Sequence, residues 1–132
     1  MYAPHMDATY VPASCRCGKI HSSDGREMDD FSWSASRDAK GVLHVSLANP
    51  RLEKDVTVEL SFDKMKVKSV SGELLRADRI DAYNDFGKAP EVTPVQFKDA
   101  KSVSKELPGS SKKKNCVTLT LPAASVVTLE IK

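Results

Sequence analysis

Residues 56–62 read Val56-Thr57-Val58-Glu59-Leu60-Ser61-Phe62, with apolar side chains at every even position and polar ones at every odd position. Successive side chains of an extended chain point to opposite faces, so this pattern predicts a strand with one face buried and one in water. The same period of two recurs on both sides. Upstream, Phe31, Trp33 and Ala35 alternate with Ser32, Ser34 and Ser36, and Leu43, Val45 and Leu47 alternate with His44 and Ser46. Downstream, Val117, Leu119 and Leu121 alternate with Thr118 and Thr120, and Val127, Leu129 and Ile131 with Thr128 and Glu130. Val95 and Phe97 against Gln96 and Lys98 form a shorter case. On this reading His44 points to solvent, and Trp33 shares the core face with Phe31.

Turn chemistry separates the runs. Asp38-Ala39-Lys40-Gly41 follows the first, and Pro50 forces Asn49 out of the helical region. Leu107-Pro108-Gly109-Ser110-Ser111 before Lys112-Lys113-Lys114 reads as a polar loop, and Pro122-Ala123-Ala124-Ser125 as the closing hairpin turn. Residues 81–91 contain Gly87 and Pro90 and read as a long loop; residues 15–30 are polar and read as a second one. Val67, Val70, Leu74 and Leu75 break the period of two. A bulge near Ser71-Gly72 is the favoured explanation, and a strand between two buried surfaces is the other. No stretch sustains a helical period. About eight to ten short strands in a chain of this size predict an all-β antiparallel sandwich or barrel.

Composition bounds the function. The 132 residues suffice for a single domain spanning 1–132 but not for an eight-fold α/β barrel, which needs about 250. Twenty basic residues against eighteen acidic ones leave no strong field, so nucleic acid is not an expected partner. No run approaches the length of a membrane span. The N-terminal Met1-Tyr2-Ala3-Pro4-His5-Met6-Asp7 lacks a basic run followed by an apolar block, which argues against a signal or transit peptide. The chain enters its first strands almost at once and is expected to be part of a longer soluble protein, either cytoplasmic or secreted/periplasmic.

Site chemistry is sparse. Cys15, Cys17 and Cys116 are an odd count, and a two-residue spacing does not suit a zinc knuckle, so free thiols are expected over a bridge to Cys116. His5, His21 and His44 have no second metal ligand at helical spacing, so no metal site is expected. Asp29-Asp30 and Asp78/Asp81 are the available carboxylate pairs for glycoside chemistry, but both stand among turn residues, where Asp satisfies backbone donors. No nucleophile elbow, phosphate loop or dinucleotide fingerprint is present. Among the aromatic residues, Tyr83 in the long loop is the better sugar-stacking candidate.

Several segments together resemble the C-terminal domain of family-51 α-L-arabinofuranosidases. They are Leu47-Ala48-Asn49, then Val70-Ser71-Gly72-Glu73-Leu74-Leu75, then the loop from Asp81 to Pro94, then Leu121-Pro122-Ala123-Ala124-Ser125-Val126-Val127. Asn84, Phe86, Pro90, Val92 and Pro94 fall on the family's loop pattern, and Leu121, Pro122 and Ser125 on its closing pattern. The segment Met1–Thr9 resembles the chain leaving the last barrel helix. Asp85 and Gly87-Lys88-Ala89 depart from the loop pattern. All these positions suit scaffold roles. Proline stiffens an extended loop, Asn84 can bond its backbone, Phe86 can anchor it on a core edge, and Ser125 can bond the last turn. The resemblance implies a jelly-roll β-sandwich packed on a catalytic (β/α)8 barrel of the same parent chain, with both catalytic glutamates on that barrel. The parent would be a retaining hydrolase of terminal α-L-arabinofuranosyl residues, needing no cofactor. This chain alone would then be a non-catalytic accessory domain. A carbohydrate-binding module for arabinose-containing polysaccharide is the alternative, and an adhesion module a weaker third.

Overall fold

The computed structural model describes residues 1–63, 65–106 and 113–132, with residues 104–106, 113 and 114 described by backbone alone. A 3-10 turn at Ala3–His5 precedes β1 (Thr9–Tyr10), β2 (Lys19–His21), β3 (Glu27–Asp29), β4 (Ser32–Arg37) and β5 (Leu43–Asn49). β6 (Val56–Phe62), β7 (Val70–Arg76), β8 (Val95–Gln96), β9 (Lys101–Glu106), β10 (Lys113–Leu121) and β11 (Ser125–Ile131) follow. The alternating runs are therefore strands. The expected polar loop at 107–111 and Lys112 lie outside the described residues, while Lys113 and Lys114 open β10.

A six-stranded sheet has the order β1-β4-β5-β11-β7-β8, and a three-stranded sheet the order β6-β10-β9. Every pairing is antiparallel. The two sheets share one core. Leu43, Val45 and Leu47 of β5 and Val127, Leu129 and Ile131 of β11 meet Val117, Leu119 and Leu121 of β10. Val56, Val58, Leu60 and Phe62 of β6 and Trp33 of β4 pack around that cluster. The period of two supplies each strand with one apolar face, and two such faces exclude water only by lying against each other. The result is an all-β sandwich.

Four expectations change. The turn at residues 122–124 does not close a hairpin, because β10 and β11 lie in different sheets. It carries the chain across the core, with Ala124 in the left-handed region at φ 48. No bulge interrupts residues 70–76, since β7 pairs with β11 in unbroken register from Val70↔Ile131 to Arg76↔Ser125. The adjacent leucines have opposite tasks: Leu74 packs on the core, and Leu75 lines a groove on the outer face. Residues 15–30 are not all loop, because β2 and β3 pair as a small hairpin. Finally, His44 is buried rather than solvent-facing, since the N-terminal turn and the Asp38 side chain cover it. A strand's alternation tells which face a residue takes, not whether a distant segment later covers that face.

Candidate functional site

Strand register arranges the outer face of the six-stranded sheet into cross-strand rows. One row runs Ser36, His44, Glu130, Ser71, and the next Ser34, Ser46, Thr128, Glu73. The third runs Ser32, Ala48, Val126, Leu75. The first two rows are polar and the third is largely apolar.

The N-terminal turn lies over the polar rows. His5 Nδ1 is 2.7 Å from Ser36 Oγ, and His5 Nε2 is 2.7 Å from Ser46 Oγ. His44 Nε2 lies 3.1 Å from Asp38 Oδ2, and the two imidazole rings are 6.3 Å apart, edge to face. Partial burial, then the neighbouring His44, hold the His5 ring below its ordinary value. The His44 hydrogen bond, then the Val42 N–H, lower the Asp38 carboxyl. A serine beside a histidine suggests nucleophilic chemistry, but Ser36 and Ser46 are both buried and both ring nitrogens are occupied. A nucleophile needs an approach path and a free oxyanion site, and this cluster offers neither. Its physical task is to tie the N-terminal turn to two strands.

The apolar row is the floor of a groove of about 370 Å³, walled by Pro50, Val92 and Ala124, with Arg76 at its rim. Both sequence patterns meet there, because Val92 and Ser125 line it together. Asn84 clamps the long loop: its Nδ2 donates to the Val92 carbonyl at 2.8 Å, and its Oδ1 accepts from the Val92 N–H at 2.8 Å. Arg79 pairs with Asp81 and Lys88 with Asp85 on the same loop. The clamp sets the loop's exposed aromatics. Tyr83 is 66% exposed, and Phe86 is wholly exposed, not anchored on a core edge. Pro90 and Pro94 are exposed beside it.

Leu121 and Ser125 are buried at the sheet-to-sheet crossing, with Pro122 half-buried between them. Ser125 Oγ donates to the Pro122 carbonyl at 2.6 Å. Asn49, only 2% exposed, binds the crossing more firmly. Its Nδ2 donates to the carbonyls of Lys54 at 2.8 Å, Pro122 at 2.9 Å and Leu121 at 3.4 Å. The roles of His5 and Asn49 were not legible beforehand, although Asn49 ends a strand within the resemblance.

Catalytic chemistry has no assembled centre among the described residues. Asp30 pairs with Arg51, Asp29 with Lys19 and Asp81 with Arg79, so three of the four candidate carboxylates are taken up in ion pairs. No group of three or more metal-binding side chains is found among the described residues. All three cysteines are free thiols. Cys15 is exposed, yet partial burial of its sulfur and the adjacent Cys17 thiol push it up to about 11, which leaves little thiolate at neutral pH. No helix of the described residues is long and apolar enough to cross a membrane.

Comparison with known proteins fits this picture. The family model described as the α-L-arabinofuranosidase C-terminal domain matches residues 1–125. An intracellular exo-α-L-arabinofuranosidase of Bacteroides ovatus is 34% identical over 132 residues, which is 100% of this chain and 24% of that protein. A GH51 arabinofuranosidase from Xanthomonas axonopodis pv. citri superposes with a TM-score of 0.82 at 27% identity, covering 99% of this chain and 24% of that one. A family 51 α-L-arabinofuranosidase from Bifidobacterium longum shares the fold, with a TM-score of 0.63 at 19% identity over 89% of this chain and 21% of that one. The chain thus spans about a quarter of the length of these relatives.

Proposed function

The chain belongs to the α-L-arabinofuranosidase C-terminal domain family, and from that premise we propose that residues 1–132 act as one non-catalytic accessory domain. Its task is to seat against and stabilise the catalytic (β/α)8 barrel of a longer parent. That parent releases terminal α-L-arabinofuranosyl residues from arabinan or arabinoxylan with retention, using two glutamates on the barrel. The observation that carries the reading is the pairing of an apolar groove with a clamped loop that holds Phe86 fully in water. A large apolar side chain held rigid and exposed gains free energy only when a partner covers it. The groove and the loop adjoin through Val92, which supports one docking face that spans both. Free thiols and the intracellular relative support a reducing compartment.

The test has two parts. The purified chain should give no turnover of a chromogenic α-L-arabinofuranoside. In the longer parent, Phe86→Ser should lower the melting temperature, while in this chain alone it should leave it unchanged. Turnover by the chain, or an equal effect in both contexts, would sink the reading. A second reading rests on Tyr83, whose exposed ring on a stiff loop suits sugar stacking. Calorimetric titration with arabinan or arabinoxylan should then give heat that Tyr83→Ala abolishes; no heat at millimolar sugar removes it.

A further inference from the structure

The two serines that hold His5 are buried, yet the surface they form is polar. An interface of this kind can open at small cost, because water replaces each hydrogen bond it loses. We propose that the N-terminal segment is a strap that His5 pins across β4 and β5 while its ring is neutral, and that acidification releases it. The geometry explains why protonation matters. A neutral ring donates through one nitrogen and accepts through the other, so each serine hydroxyl has a matched partner. A protonated ring donates through both nitrogens. The serine that had donated its O–H to the ring must then turn that proton elsewhere in a confined space. The new charge also sits beside the His44 imidazole, 6.3 Å away.

Ser36 and Ser46 take both ring nitrogens, and Asp7, two residues further along the segment, is exposed to water. Tyr2, beside the same turn, brings a phenol ring tilted at 6.3 Å. Asp38, in the β4–β5 turn, is engaged by His44 and by the Lys40 and Val42 amides. Glu130, next to His44 on β11, is paired with Lys132 at 3.5 Å. Glu73 lies a further strand away, beside Thr128. The ring's lowered value agrees in sign. A histidine held below its unpinned value favours the pinned state at pH above 6.5, and that preference fades as pH falls toward the pinned value.

Below the turn the strap is held by few bonds. Met6 N–H donates to the Ala3 carbonyl at 3.0 Å, Val11 N–H donates to the Ala35 carbonyl at 2.9 Å, and β1 pairs with β4 through two residues. Hydrogen exchange of the intact chain, read by NMR between about pH 7.5 and about pH 5 and corrected for intrinsic rates, tests the strap. The Met6 and Val11 amides should lose protection severalfold on acidification while β11 amides keep theirs, with a midpoint below 6.5. In His5→Gln the acid step should vanish, whether that variant holds the strap or not. In His44→Gln the midpoint should move upward. Full protection at low pH, an acid step that persists in His5→Gln, or an unmoved midpoint in His44→Gln overturns the proposal.

Discussion

Replacing Gly72 with alanine tests the close approach of β7 to β11 within the six-stranded sheet. Gly72 lies in β7, opposite Leu129 of β11. A Cβ built there would stand 2.6 Å from the Thr128 carbonyl oxygen and 2.7 Å from Leu129 Cδ2. Neither neighbour can yield freely. The first is backbone in the middle of a sheet, and the second is a core side chain with 1% exposure. Moving β7 away would also strain the bond from the Phe97 N–H to the Gly72 carbonyl, now 2.9 Å. Overpacking of this kind costs about 2–3 kcal/mol. For a chain of 132 residues that corresponds to a fall in melting temperature of about 7–11 °C. Differential scanning calorimetry measures it directly. Gly87→Ala is the control, because its φ of +75 is left-handed but nothing lies within 4 Å of the added methyl. That substitution should cost only about 1 kcal/mol, or about 4 °C. A Gly72→Ala chain that melts within about 2 °C of the parent, or no lower than the Gly87→Ala control, would refute the close-approach argument.

Three further outcomes follow from single side chains. Asn49→Ala strips the partner from the Pro122 carbonyl of the crossing and the Lys54 carbonyl of the β5–β6 connection and should cost about 2–4 kcal/mol, read as a lower urea midpoint at unchanged slope. Asn84→Ala frees the loop while removing little buried structure. Its global cost should stay near 0.5–1.5 kcal/mol, but limited proteolysis should cut between residues 84 and 92 much faster. Asp38 titrates below the ordinary carboxylate range because His44 and the Val42 amide stabilise its charge. Its contribution is therefore full above about pH 4 and lost as pH falls through its lower folded value, so Asp38→Asn should flatten the acid limb of a melting-temperature curve.

Much of this architecture is readable in the alternation itself. Val56 to Phe62, Leu43 to Leu47 and Val127 to Ile131 each put their apolar residues on one face, and that local pattern needs no tertiary information. The Pro90 and Pro94 loop and the place of the Pro122 turn, though not the sheets it joins, are legible because proline constrains its own backbone. The adjacency of Leu74 and Leu75 points, read locally, to a bulge that the structure lacks. The cause is nonlocal: Leu75 is half-covered by a groove whose walls come from residues 50, 92 and 124. His44 reads locally as solvent-facing for a like reason, because His5 reaches it only after β1 aligns with β4.

The sequence by itself determined that the chain is all-β, where its longer strands lie, and, through the Asn84-to-Pro94 and Leu121-to-Ser125 patterns, which family it joins. Tertiary structure alone decided that β10 and β11 part into opposite sheets and that Asn49 ties their crossing. It also decided that the outer face divides into a polar end under His5 and an apolar groove walled by Val92. Period-two patterning specifies which side chains share a face. Which faces then meet, and which stay open to a partner, depends on contacts between residues far apart in the chain.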